Sequence, residues 1–313
     1  MSAPARAALA GNPSDGFGGA TLAVALADFA AQVTLRAAPR TEVHPPAAEA
    51  LVRAAVRRFA VHAGGPEPRV VVRVASTIPR EVGLGGSSAI VVATLRALGH
   101  LCDVDLPPAV LPSVALAVET EEMGIAAGPQ DRVIQVQGGL LLMDFAGGRT
   151  VTEPLDPALL PPLYLAHRPD SAQPSGAVHG DLRARFARGD PAARAALTEL
   201  ATVARAARDA LLARDAGAFA AAIDASFDLR RRLLPLDPRH AQLVATARSV
   251  GAAANYAGSG GAIVGTIGED AGFDALQTAL AAQGATVLRP AVAPGQVSGR
   301  GATGTAVHEE YRR

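Results

Sequence analysis

The sequence predicts an α+β protein built from two parts, and three observations support this. First, a β-branched run, Val70–Thr77, enters a glycine- and serine-rich turn and leaves it as a helix-forming segment, Ala89–Leu101. Second, the later half runs strand, helices, two strands, helix, strand, which is a βαββαβ-like plan. Third, the character of the chain changes at Asp156. At 313 residues there is room for two domains of ordinary size. We therefore expect a first domain over 1–155 and a second over 156–290. Residues 291–313, rich in Gly, Pro and Ala with a charged end, are expected to be a flexible tail.

Taken in order, the first 40 residues hold two apolar stretches around a polar break, Gly11-Asn12-Pro13-Ser14-Asp15-Gly16. The break has turn chemistry. Asp15 within it is either a turn residue or a partner for sugar hydroxyls. Ala20–Ala30 alternates poorly and fits strand or helix, while Val33–Leu35 fits a strand. Residues 46–63 form an amphipathic helix with Leu51, Ala55, Val56 and Phe59 inward and Arg53, Arg57 and Arg58 outward. Pro112–Met123 is helical and carries Glu119, Glu121 and Glu122. A loop then leads to Asp131, beside a helical turn with Arg132. Gly138-Gly139 opens a strand to Phe145, and Gly147-Gly148 turns a hairpin into Arg149–Glu153.

In the later half, Leu163–His167 is a strand, and 191–214, 216–234 and 238–251 are helices. Strands at 252–257 and 262–267 flank Gly258-Ser259-Gly260-Gly261; a helix at 271–283 and a strand at 285–289 follow. The segment SGAVHGDLRARF fits a polar loop, in which His179 and Arg183 are minor site candidates.

Composition excludes several function classes. Hydrophobic residues make up 49% of the chain, enough for a sizeable core. The formal net charge is zero, which argues against a nucleic-acid surface built on bulk positive charge. The single cysteine, Cys102, cannot close an internal disulfide and suits a reducing cytoplasm. Apolar runs stop short of membrane-spanning length, and no basic-then-apolar opening marks a signal peptide. We expect a cytoplasmic protein with no membrane or nucleic-acid partner, acting as a monomer or homodimer on a small molecule.

The turn between strand and helix carries the chemistry. Gly83, Gly85 and Gly86 let the backbone turn sharply and approach a ligand, and Ser87 and Ser88 fall at or near the helix N-cap. A helix N-terminus behind such a loop suits an anion, most often phosphate. It is not a P-loop, which needs a lysine, because all 29 basic residues are arginine. Nor is it a Rossmann fingerprint, because Ser88 stands where the last glycine belongs.

Three segments in order resemble the GHMP kinase superfamily (galactokinase, homoserine kinase, mevalonate kinase, phosphomevalonate kinase). They are Pro4–Asp15, Pro79–Ala89 and Gly258–Ala262. A longer set of matches is similar to the glucuronokinases of plants. It includes Val82–Leu84, Gly86–Val91, Gly128, Gln130–Val133, Gln135-Val136, Gly138–Leu140, Met143–Phe145, Leu160–Leu165, Phe227-Asp228 and Arg230–Arg232. Asn12-Pro13-Ser14 departs from the galactokinase pattern and argues against galactose.

The resemblance implies an N-terminal ribosomal-protein-S5-like α/β domain and a C-terminal ferredoxin-like α+β domain. It implies ATP and Mg²⁺ as cofactors. Gly83, Leu84, Gly85, Gly86, Ser87, Ser88 and Ala89 would wrap the phosphates, together with the loop Gly258, Ser259, Gly260 and Gly261. Ser88 and Glu119 would hold Mg²⁺. Asp131 would accept the acceptor's proton, with Arg6 keeping it ionised and stabilising the transferring group. Asn12, Asp15, Gln130, Arg230 and Arg231 would contact the acceptor. Consecutive helix positions diverge by about 100°, so Arg230, Arg231 and Arg232 cannot all face one site. The implied activity is phosphorylation of glucuronate at the anomeric hydroxyl; alternatives are a sister kinase for another sugar or alcohol, and a non-catalytic nucleotide- or sugar-binding regulator.

Overall fold

The structure is a computed structural model, and it describes residues 1–168, 175–268 and 270–296, with the side chains of 175–180 left out. Two sheets organise it. The first holds β1 (Ser2–Ala10), β2 (Ala20–Ala37), β3 (Glu42–His44), β4 (Val70–Ser76), β5 (Leu140–Asp144) and β6 (Val151–Leu155), in the order β3-β4-β2-β5-β6 with β1 also on β2. Strand β2 is the axis: residues 20–24 pair with β5, residues 31–37 with β4, and β1 runs antiparallel along 22–32.

The ambiguity of Ala20–Ala30 has a physical cause. Residues 20–26 are all buried because both faces of this part of β2 are covered, so the polar–apolar alternation of a half-exposed strand is missing. Helix α2 (Gly86–Cys102) packs on β1 and β2, α1 (Glu49–Ala63) lies against α2, and α6 (Pro191–Leu212) also packs on β2.

The remaining helices of the first half position the chemistry. α3 (Leu111–Ala117) runs into a π-helical turn, Val118–Glu122, and a loop leads to the short α4 (Gln130–Gln137). A single helix over 112–123 was expected; the wider turn breaks it.

The second sheet has the order β10-β7-β9-β8, all antiparallel, from β7 (Leu163–His167), β8 (Asn255–Tyr256), β9 (Ala262–Thr266) and β10 (Thr286–Leu288). This is the ferredoxin-like arrangement. Its helices are α5 (Ser175–Ala187), α6, α7 (Ala216–Leu233), α8 (Pro238–Ser249) and α9 (Asp270–Ala281). Asp190, Asp215 and Asp237 accept backbone N–H bonds at the starts of α6, α7 and α8, and prolines at the starts of α6 and α8 reinforce two of those boundaries. The segment expected to be a polar loop is helix α5.

The two sheets share one core: Leu9, Leu22, Phe219, Ile223 and Val264 belong to a single apolar cluster. Strand β1 stitches them together, since the Ala8 N–H donates to the Ala257 carbonyl at 2.9 Å. The expected tail also needs correction at its start. Ala291 and Ala293 exchange backbone bonds with Ala25 and Ala27 of β2, and the Gln296 N–H reaches the Gln137 carbonyl at 2.7 Å. Residues 291–296 therefore strap the first sheet beside α4; 297–313 lie outside the described residues.

Candidate active site

Arg6 is the hub. It projects from β1, with 5% exposure, into the junction of the two sheets. Its Nε and Nη2 donate to the two carboxylate oxygens of Asp131 at 2.6 and 2.7 Å, a bidentate pair. Its Nη1 donates to the Gly83 carbonyl at 2.5 Å and the Ala257 carbonyl at 3.0 Å. One guanidinium thus holds the first turn of α4, the first glycine loop and the approach to the second. Its N–H groups are largely committed, so its geometry is that of an orienting group for Asp131 and both loops; the expected direct contact with a transferring group finds little free donor capacity.

The glycine loops meet face to face. A Cβ on Gly258 would collide with the Gly83 carbonyl and the Arg6 guanidinium, and a Cβ on Gly83 would press on the Ser259 N and Gly260. Neither position has room for a side chain. Gly85 takes the left-handed conformation (φ 76°) as the N-cap of α2, so a glycine caps this helix where serines were expected. Its carbonyl accepts from the Gln135 amide at 2.7 Å and from the Ser88 hydroxyl at 3.0 Å. Gln135 sits one helical turn after Asp131 on α4, so the same face carries both. In the sequence, Gln135 stands among the segments similar to plant glucuronokinases, and its i, i+4 spacing from Asp131 places the two on one face.

The loop carbonyls of Gly83, Leu84 and Gly85 are thereby all engaged by protein donors, the Leu84 carbonyl by the Arg6 N–H at 3.1 Å. The N–H groups of the first turn of α2 have no acceptor within the helix, which is the arrangement an anion needs. Among the expected loop residues, Leu84 and Ala89 send their side chains into the core, whereas Ser87 is exposed.

Asp15 lies in a 3-10 turn, Ser14–Phe17, and is 5% exposed. The Gln130 N–H donates to it at 3.3 Å, and Gly128 packs so close that a Cβ there would collide with the carboxylate. Burial, and then the negative charge of Asp131, pushes the Asp15 carboxyl up to about 6. The buried Gln130 Oε1 has no hydrogen-bond partner. Asn12, expected to face an acceptor, is instead used structurally: its Oδ1 accepts from Asn255 at 3.2 Å and its Nδ2 reaches the Tyr256 and Gly258 carbonyls at 3.5 Å.

A second buried pair lies beside the first. Glu119 and Arg132 are 5% and 3% exposed and form an ion pair, and Arg132 Nη1 also donates to the Gly128 carbonyl at 2.6 Å. Burial, and then the nearby Arg6 charge, pulls the Arg132 guanidinium down to about 9. The π turn sets this up: Glu119 points inward, while Glu121 and Glu122 reach Arg58 and Arg57 of α1 at 2.6 and 2.9 Å. Those arginines, expected as a solvated face, latch the turn.

The arginine cluster divides as the 100° rule demands. Arg230 is buried with 1% exposure, while Arg231 and Arg232 are exposed and Arg232 reaches Glu199 at 3.5 Å. Arg231 therefore leaves the set of acceptor contacts. Arg230 lies over the Tyr256 ring, 5.4 Å from its centroid, and within electrostatic reach of Arg6 and Asp15. Arg183 donates to the Ala127 carbonyl at 2.7 Å, tying α5 to the loop before α4. The His179 side chain is outside the described residues.

The donors that remain fit the phosphates of a nucleotide better than a self-contained metal cage. Among the described residues no group of three or more His, Cys, Asp or Glu converges as a metal site. Magnesium held mainly by phosphate oxygens and water needs only one or two protein ligands, which Ser88 and Glu119 can provide by exchanging their present partners.

Comparisons with known proteins agree with this architecture. Residues 50–139 match the model of the GHMP kinases N terminal domain. The chain is 40% identical to Glucuronokinase 1 of Arabidopsis thaliana over 204 residues, which is 60% of this chain and 55% of that protein. It is 39% identical to Probable glucuronokinase 2 of the same plant over 201 residues, 60% and 54% of the two chains. The chain thus spans about half the length of the curated relatives it matches. Among solved structures, mevalonate kinase of L. major in complex with R-mevalonate aligns over 94% of this chain and 95% of its own, with TM-score 0.74 and 18% identity. Galactokinase of Lactococcus lactis, complexed with galactose, aligns over 94% and 93%, with TM-score 0.77 and 16% identity. Residues 50–139 are thus similar to the GHMP kinases N terminal domain, part of the chain is similar to the plant glucuronokinases, and the two-sheet fold is the one these solved kinase structures share.

Proposed function

We propose that this chain is an ATP-dependent kinase for a sugar acid, converting glucuronate and ATP to glucuronate 1-phosphate and ADP. The observation that carries the proposal is the bidentate Arg6–Asp131 pair, held where the two glycine loops meet. Phosphoryl transfer needs an aligned acceptor, a group to take its proton, and donors for the phosphate charge. Asp131, aimed by the bidentate Arg6 guanidinium, takes the anomeric hydroxyl proton. As the new O–P bond forms, the bond to the β-phosphate oxygen breaks and ADP leaves. The open N–H groups at the start of α2 and the Gly258–Gly261 loop cradle the phosphates. Asp15 and Gln130 bind acceptor hydroxyls beside Asp131. Ser88 and Glu119 would hold Mg²⁺, which would neutralise phosphate charge when bound.

The 40% identity to Glucuronokinase 1 over 204 residues supports the sugar-acid acceptor. A coupled ADP-release assay with glucuronate, galacturonate, glucose, galactose and mevalonate tests the reading. Glucuronate-dependent ADP release is expected, falling to background in Asp131→Ala. Turnover of a neutral sugar alone would replace the acceptor, and no turnover with any of them would contradict the kinase itself.

A further inference from the structure

Three buried arginines surround this junction, and two have carboxylate partners. Arg6 holds Asp131, and Arg132 holds Glu119. Arg230 is the exception. It is 1% exposed, its Nη2 makes a long hydrogen bond to the Ser259 carbonyl at 3.4 Å, and its Nε is buried without a partner among the described residues. A guanidinium removed from water without a counter-ion costs several kcal/mol. Two features soften that cost without removing it. Arg230 lies in the last turn of α7, where the helix dipole favours a cation, and its charge faces the Tyr256 ring. Asp15 is the acid within electrostatic reach, yet it makes no ion pair with Arg230, and its own carboxyl is pushed up to about 6. The Tyr256 hydroxyl is buried without a partner as well.

From this unmade pair we infer that Arg230, seated on the Tyr256 ring, is the subsite for the carboxylate of the acceptor, and that Asp15 and Arg230 are left apart in the protein so that a sugar acid bridges them. The inference rests on the kinase reading and adds to it the group that selects an acid over a neutral sugar. A guanidinium matches a carboxylate with two parallel N–H bonds. Asp15 takes the hydroxyls at the other end, next to Asp131. Arg231, one position on, has no part in it. The anion that Arg230 awaits could instead be a nucleotide phosphate, and the test separates the two.

The measurement is thermal unfolding of wild type, Arg230→Met, Tyr256→Phe and Arg231→Gln, each alone and with glucuronate, glucose or ATP. This needs no turnover, so it stands even if the kinase assay fails. Arg230→Met is expected to unfold at a higher temperature than wild type when no ligand is present, because it removes an uncompensated buried charge. It is expected to lose the shift given by glucuronate and keep the shift given by ATP. Where turnover is measurable, its KM for glucuronate rises roughly 30-fold or more, since one partner of a buried charge pair is gone. Tyr256→Phe keeps the ring and is expected to lose only part of the glucuronate shift, and Arg231→Gln to match wild type. The inference is overturned if Arg230→Met fails to fold, if it keeps its glucuronate shift, or if it loses the ATP shift instead.

Discussion

The two sides of the site differ in how complete they are. On the side built by β1, α2 and α4, two buried ion pairs form, Arg6 with Asp131 and Arg132 with Glu119, and the loop carbonyls are held by Arg6 and Gln135. On the side built by α7 and β8, Arg230 is buried without an ion pair, and the Tyr256 hydroxyl without a hydrogen bond, among the described residues. The difference separates two tasks. Arg6 and Asp131, proposed to orient the chemistry, are preorganised and need no ligand to hold them. Groups that recognise an acceptor keep their bonding capacity open and are stabilised when it arrives.

Mutations that remove partners break this comparison most strongly. Asp131→Ala removes the proposed proton acceptor and leaves Arg6 buried without its counter-ion. Turnover should fall roughly 10²–10⁴-fold, and stability by about 3 kcal/mol in urea unfolding. A variant as stable as wild type would mean that Arg6 is held by the carbonyls alone. Glu119→Gln should likewise destabilise by ~3 kcal/mol, because Arg132 loses its counter-charge in a dry setting. That effect is opposite in sign to the one expected for Arg230→Met, and equal signs would erase the contrast.

Asp15 gives a smaller effect with a pH signature. Its carboxyl is raised from an ordinary 3.8 to about 6, so the folded chain holds this proton more tightly than the unfolded chain. Wild-type stability should therefore fall as pH rises from about 4 to about 6, and stay low above that. Asp15→Asn removes this dependence: it should match wild type near pH 4 and exceed it by ~1–3 kcal/mol at pH 7.5. An advantage of the same size at both pH values would place its cause elsewhere. The smallest effect belongs to the latch on the π turn. Arg57→Ala and Arg58→Ala break partly exposed pairs and should each cost less than about 1 kcal/mol. A larger loss would show that the turn, and Glu119 with it, depends on α1.

Much of this was legible in the sequence, and what was missed has specific causes. The glycine loops announce themselves, because only glycine fits where Gly83 and Gly258 face each other. The separation of Arg230 from Arg231 followed from helical geometry, although which one faces inward did not. The π turn was invisible, since three acids within four residues look like one solvated helix face. The role of Arg132 was hidden for the same reason: its partner, Glu119, lies across that turn. Asn12 looked like a contact for a ligand because a buried asparagine serves a backbone carbonyl as readily as a sugar. The strap at 291–296 has no periodicity, and its hold on β2 is carried by backbone bonds that no side-chain pattern announces.

The proposed function places the acceptor with its anomeric hydroxyl at Asp131. The proton-coupled ³¹P spectrum of the product made from glucuronate and ATP tests this most directly. One new phosphate ester resonance split by the anomeric proton is expected, absent with Asp131→Ala. A phosphate on any other carbon, or the same product from Asp131→Ala, would contradict it.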